Sequence, residues 1–131
     1  MPPYFALRET PQNMSKEYTW HKIAETLNEI SFNANGLAEV TVAGKTICIA
    51  AKDNKLQGCA QKCPHASAPL VDGYVDAAGN IVCPLHRYKF SLQNGRNVSG
   101  EGYFLKLFPV ETRADGIFVG IAETGLFNWL K

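Results

Sequence analysis

Two short stretches of the sequence carry residue types that can do chemistry: "KCPHAS" (Lys62 to Ser67) and "VCPLHRY" (Val82 to Tyr88). The first spaces its pair as Cys63-Pro64-His65 and the second as Cys83-Pro84-Leu85-His86, with residues 66–82 between them. Deprotonated cysteine and neutral imidazole are ligands for zinc, copper or iron. Zinc fingers usually place two cysteines on one turn and two histidines on another. Here each stretch offers one of each, which suits a binuclear centre. Cys63 and Cys83 can take one metal from opposite sides while His65 and His86 take the other. A structural zinc site made of all four is the competing reading, and stretches that bind nothing are the third. Pro64 and Pro84 restrict the backbone beside each cysteine and help preorganise it.

Two tight loops must be brought together by the elements around them, and the pattern of those elements is that of short strands. Ala43-Gly44, Asp53-Asn54, Gly79-Asn80, Asn94-Gly95 and Asp115-Gly116 punctuate apolar runs at regular intervals. Asn-Gly and Asp-Gly between such runs are strong hairpin signals. Ile47, Ile49 and Ala51 alternate with Thr46, Cys48 and Ala50, and Leu105 and Leu107 with Lys106 and Phe108. This period of two predicts an all-β fold, a small antiparallel barrel or sandwich. Ile23, Leu27 and Ile30 have helical spacing, yet a strand through Trp20 to Ala24 followed by a loop fits the same residues. Residues 57 to about 102 hold six of the eleven Gly, three of the seven Pro and both Cys/His stretches. They read as a loop-rich insertion closed by its own short strands, within a single domain over 1–131 that has terminal extensions at 1–16 and 123–131.

Composition narrows the function classes. The chain has 131 residues, 46% hydrophobic and 19% charged, with a net charge of +1, which fits one globular domain. No Lys/Arg block suggests a nucleic-acid surface. No apolar run approaches the roughly 18 residues that would span a bilayer. The first residues lack the basic-then-apolar order of a signal peptide, so a cytoplasmic, reducing location is expected. There the four cysteines, Cys48, Cys59, Cys63 and Cys83, favour metal binding over disulfides.

In a [2Fe–2S] rhombus each iron needs two protein ligands beyond its two sulfides, and two cysteines on one iron with two histidines on the other is the Rieske arrangement. The C-x-H … C-x2-H pattern of Cys63, His65, Cys83 and His86 resembles the Rieske family. So do "PLVDGYV" after the first stretch, "HRYKFSLQNGR" in and after the second, and the later "LKLFPVETRADGIFVGI". The likeness spans roughly residues 18 to 122 and is nearest to the small soluble, oxygenase-associated ferredoxins. It implies a Rieske-type fold with one [2Fe–2S] cluster per chain, Cys63, His65, Cys83 and His86 as its ligands, and no catalytic residues. It also implies an electron carrier that takes single electrons from a flavin- and NAD(P)H-dependent ferredoxin reductase and gives them to a terminal oxygenase. The alternatives are a small accessory subunit of a larger enzyme, such as NAD(P)H-dependent nitrite reductase, or a zinc-stabilised binding module.

The resemblance also bears on the potential. High-potential members, in respiratory and photosynthetic cytochrome complexes, carry a Ser two residues after the second His, a Tyr two beyond it, and an extra Cys in each loop. Here the hydroxyl positions are Tyr88 and Phe90, and neither Ala66 to Leu70 nor Pro84 to Leu85 contains a cysteine. A low-potential centre is expected. In the family His65 and His86 would sit at the tip and form the electron port, with Lys62, Arg87 and Lys89 beside them for steering. A Pro that usually covers the cluster is absent from "NVSGEGYF", where Gly100 and Gly102 predict a more flexible cover or a close approach of the backbone. Cys48 and Cys59 read as core residues and His21 as unconnected with metal; Tyr88 and Phe90 read as shields for the cluster or as plain core packing, and the apolar tail "TGLFNWLK" as packed on the barrel's flank or as a partner or dimer contact.

Overall fold

The structure, a computed structural model, describes residues 17–123. The extension 1–16 and the tail with Leu126, Phe127, Trp129 and Leu130 lie outside the described residues. Among the described residues, ten strands form three antiparallel sheets. Strands β1 (Glu17–Ala24), β10 (Gly116–Glu123) and β9 (Val110–Arg113) make one sheet in that order. A second has the order β2 (Leu37–Val42), β3 (Lys45–Lys52), β4 (Lys55–Ala60) and β8 (Leu107–Phe108). The third, β5 (Tyr74–Val75), β6 (Asn80–Val82) and β7 (Lys89–Ser91), is built from the middle of the chain.

The turn residues set this register. Ala43 and Gly44 both have positive φ, 51° and 80°, as do Asp53 and Asn54 at 54° and 66°. Two consecutive left-handed residues make the primed turn that matches strand twist. The outcome is an unbroken β2–β3–β4 meander, Val42 opposite Lys45 and Lys52 opposite Lys55. After β7, Gly95 has φ 80°, and a Cβ there would collide with the Leu105 carbonyl oxygen. Only glycine lets the chain turn back against that strand. Trp20 to Ala24 belong to β1, and the helical spacing beyond it yields one 3-10 turn, Leu27–Glu29.

The alternation on β3 does more than separate core from solvent. Ile47 and Ile49 pack with Val42, Phe108 and Val119 between the two larger sheets. Cys48 and Ala50, on the opposite face, pack with Leu70, Ile81, Phe90 and Leu105, beneath the third sheet and the loops. All four β3 residues are buried. An antiparallel strand with one wet face would carry polar residues at alternate positions; β3 carries none from Ile47 to Ala51 because the loop-rich part covers its outer face. One boundary needs correction. Residues 57–60 belong to β4, with Cys59 opposite Cys48 on one side and Leu107 on the other. The loop-rich part therefore starts at Gln61, since the β3 ladder extends strand pairing to Ala60.

Candidate metal centre

Both Cys/His stretches are closed in the same way. The Cys63 N–H donates to the Ala68 carbonyl at 2.8 Å and the Cys83 N–H to the Tyr88 carbonyl at 2.8 Å. Each loop is thus pinned across five residues, with its cysteine at the base. In the first, Ser67 N–H also donates to the Cys63 carbonyl, and Ser67 takes φ 59°. In the second, His86 and Arg87 are both left-handed, at φ 68° and 60°. Gln61, buried ahead of the first loop, accepts from Val71 N–H and donates to Glu39 Oε1. That ties the loop's entrance to both β2 and the following 3-10 turn.

The pinned loops face each other. Cys63 Sγ, Cys83 Sγ and a ring nitrogen of His65 lie within 4.8 Å of one another. His65 Nδ1 is 2.8 Å from Cys63 Sγ, and His65 Nε2 is 3.3 Å from His86 Nδ1. All four residues singled out in the sequence meet at one place. They are layered: Cys63 and Cys83 are fully buried in the apolar core, His65 is half-buried and His86 exposed.

The donor set suits a binuclear iron–sulfur group. Burial pushes the Cys83 thiol up to about 11, only partly offset by the Leu85 N–H that donates to its sulfur at 3.4 Å, and Cys63 alongside raises it further. A thiolate in such a floor requires positive charge next to it, which ferric iron supplies. The neutral imidazoles at the rim need no such compensation. Two thiols inside and two imidazoles outside match a centre with one cysteine-bound and one histidine-bound iron.

Around the quartet, the sequence leaves Tyr88 open as a shield for the cluster or as plain core packing, and gives no sign of Tyr103. The Tyr88 ring lies against His65 with centroids 3.9 Å apart, and Tyr103 stands 5.9 Å from both rings. Tyr103 is 38 positions from His65, which no local spacing reveals. The third loop is tied down by side-chain hydrogen bonds. Asn97 Oδ1 accepts from Glu101 N–H and Gly102 N–H. Its amide donates to the Lys89 carbonyl, Ser99 Oγ and Glu101 Oε1. Ser99 Oγ in turn accepts from Lys89 N–H and donates to Glu101 Oε1. The clamp folds 97–102 over the second loop, and Gly100 and Gly102 supply the left-handed backbone, φ 95° and 90°, that it requires. The "N-x-S" at 97–99 was its one sequence signal, since short polar side chains often bond to nearby backbone.

Other candidates fall away from the centre. Cys48 and Cys59 sit opposite each other across β3 and β4, fully buried. The Cys59 thiol is raised by its hydrogen bond with Cys48 and then by burial. His21 lies on β1 opposite Val119, in a different sheet. Phe90 is a fully buried core residue. Lys89 is drawn off by Asp76, 3.7 Å away.

Known proteins share this architecture. The chain superimposes on the ferredoxin of carbazole 1,9a-dioxygenase from Nocardioides aromaticivorans IC177 with a TM-score of 0.66 at 22% identity, covering 77% of this chain and 96% of that one. A protein described as an NADH-dependent nitrite reductase small subunit from Mycobacterium tuberculosis shares the fold with a TM-score of 0.71 at 16% identity, over 82% and 99% of the two chains. In sequence, it is 29% identical over 58 residues to the alkene monooxygenase system ferredoxin component of Xanthobacter autotrophicus. That match covers 44% of this chain, and the chain spans about half of the relative's length, 48%. The model of the Rieske [2Fe–2S] domain matches residues 19–103, which include both loops and the Asn97 clamp. The chain belongs to the Rieske [2Fe–2S] domain family.

Proposed function

We propose that this protein is a one-electron carrier, a low-potential Rieske ferredoxin that takes electrons from a flavin- and NAD(P)H-dependent reductase and delivers them to a terminal oxygenase. Cys63 and Cys83 hold the inner iron, and His65 and His86 the outer one. The observation that carries the reading is the layering of the four residues, from fully buried thiols to an exposed His86. When bound, the cluster supplies a one-electron couple. The chain's own residues keep its sulfur side dry and bring its histidine side to the surface, where a partner can approach. The ferredoxin components of oxygenase systems among its relatives support the same role.

A potential in the lower part of the Rieske range of roughly −150 to +300 mV is supported by the bonding around the sulfurs. Hydrogen bonds to them favour the more negative reduced state. The Leu85 N–H reaches Cys83, but among the described residues no side-chain hydroxyl reaches either cysteine sulfur. Phe90 is locked in the core and the Tyr88 ring packs, tilted by 31°, against His65. The four free cysteines among the described residues suit a reducing, cytoplasmic setting, and no described helix is long and apolar enough to cross a membrane.

The test is to purify the protein without oxygen and record its absorbance and its EPR spectrum after reduction. A rhombic Rieske signal, lost in Cys83→Ser, is expected, with a low potential by redox titration. A colourless protein holding one zinc per chain would falsify the reading, and stable co-purification with a large catalytic chain would replace the free carrier by an accessory subunit.

A further inference from the structure

Beside the first loop runs an open groove of about 680 Å³. Lys45 comes to it from the start of β3, Lys62 from the residue before Cys63, and Lys106 from the approach to β8. All three lysines are exposed, and none forms an ion pair with a described residue, whereas Lys22, Lys89 and Arg113 each have a carboxylate partner. The one acid on the lining, Glu39, is engaged by the Gln61 amide at 3.1 Å. Lys106 is held in place by its own neighbour, its ammonium 5.6 Å from the Phe108 ring centroid. The floor between the lysines is partly apolar, with Ala60, Pro69 and Phe108.

We infer that this groove docks an acidic segment of the protein with which the carrier exchanges electrons, aligning that partner against the His65/His86 rim. The inference rests on the carrier reading and adds to it the sign and place of the docking surface. The lysines come from three separate elements and converge on no single point, so they match charges spread along a polypeptide better than one small anion. The apolar floor accommodates side chains between those charges. The groove is continuous with the cluster loop: Lys62 adjoins Cys63, and Ser67, also on the lining, bonds back to the Cys63 carbonyl. A partner held there lies beside the histidines. Opposite charges on the two surfaces raise the rate of encounter and fix orientation more than they raise affinity.

The test uses the cluster-loaded full chain and two charge-matched variants, Lys45→Glu/Lys106→Glu in the groove and Lys52→Glu/Lys55→Glu at the far end of the β3–β4 hairpin. Both leave Lys62, the neighbour of Cys63, untouched, and loading is checked by absorbance. In stopped flow at low salt, the reduced protein gives one electron to ferricyanide, forming ferrocyanide, or to hexaammineruthenium(III), forming the ruthenium(II) complex. The groove variant is expected to slow the anionic oxidant at least about tenfold and speed the cationic one, with the far variant within about twofold of wild type. A ten-residue oligoglutamate peptide, followed by NMR shifts, should bind the wild type and the far variant but not the groove variant, with the affinity falling as salt rises. Equal effects of the two variants would show a response to net charge alone and overturn the groove. So would displacement of the peptide by equimolar inorganic phosphate, the mark of a small-anion site. A wild-type protein that passes no electron to either oxidant defeats the carrier reading instead, and the peptide measurement still decides the groove.

Discussion

The two ligand loops are closed by the same hydrogen bond, cysteine N–H to the carbonyl five residues on, yet they deliver their histidines to different surroundings. In the first loop His65 follows Cys63 by two positions and ends half-buried against Tyr88. In the second, the extra residue Leu85 places His86 three positions on, in a left-handed backbone that turns it outward to solvent. One added residue, on an otherwise equal frame, separates a shielded histidine from an exposed one. The two cysteines, by contrast, are alike in burial. The loops are therefore equivalent where they meet the core and inequivalent where they meet a partner.

The largest expected effect tests the equivalent side. Cys63→Ser and Cys83→Ser should each abolish cluster loading, read as iron and acid-labile sulfide per chain and as loss of visible absorbance. A serine hydroxyl in the same dry floor has to give up a proton far less readily than a thiol, so neither loop should compensate for the other. If one variant kept most of its iron while the other lost it, the symmetry of the two loop bases would be broken.

On the inequivalent side, Tyr88→Ala removes the ring that covers His65, whereas Leu85→Ala trims an exposed residue of the second loop. The tyrosine change should cost about 2 kcal/mol in a urea titration, and the leucine change no more than about 0.5 kcal/mol. Two ferric irons, two sulfides and two thiolates sum to zero, so the reduced centre is the charged one. Letting water in at Tyr88→Ala should raise the potential by favouring it, a shift read by redox titration. Tyr88→Phe should change neither stability nor potential, since the ring makes the contact and its hydroxyl bonds to no described residue. Equal shifts from the alanine variants at 88 and 85 would mean the two histidines are equally shielded.

What could be read beforehand follows from range. The ligand quartet was legible because each Cys/His pair sits within one turn, and the hairpins because Ala43-Gly44 and Asp53-Asn54 announce left-handed backbone locally. The two-sided burial of β3 was visible as apolar residues on both faces, but what covers Cys48 and Ala50 depends on Phe90 and Leu105, some 40 or more positions away. The shielding of His65 also depends on Tyr88, from the second loop, and Tyr103, from beyond the third. The restraint on the third loop was hard to read because it comes from one side chain, Asn97, bonding backbone on both sides of it, rather than from the glycines.

That restraint acts beside the second loop, where Asn97 and Ser99 bond to Lys89 just beyond His86, as Gln61 acts at the entrance of the first. Asn97→Ala should destabilise the protein by about 1 to 2 kcal/mol, because two backbone donors lose their acceptor, while the Lys89 carbonyl keeps the Val98 N–H. Faster hydrogen exchange at the Glu101 and Gly102 amides would place the loss in the clamp. Asn97→Asp should not restore it: the carboxylate still accepts from the backbone but faces the Glu101 carboxylate, which Asn97 now satisfies as a donor. Unchanged exchange at those two amides in Asn97→Ala would mean that the loop is held by other contacts.

The smallest effect concerns the backbone that sets the loops apart. A non-glycine residue in the left-handed region carries a penalty of roughly 1 to 2 kcal/mol, against which glycine loses roughly 0.5 to 1 kcal/mol of extra chain entropy on folding. Within the two loops, Arg87, at φ 60°, and Ser67, at φ 59°, are the left-handed residues that can be changed without touching a ligand. Arg87→Gly and Ser67→Gly should each stabilise the protein by about 0.5 kcal/mol. The gain at 87 should be the larger, because Arg87 follows a second strained residue, His86 at φ 68°, and relaxing one eases its neighbour. A matched pair of thermal melts reads the difference. Equal gains would put the strain in single residues, and a loss at 87 would mean that the Arg87 side chain, rather than its backbone, holds the second loop in its outward turn.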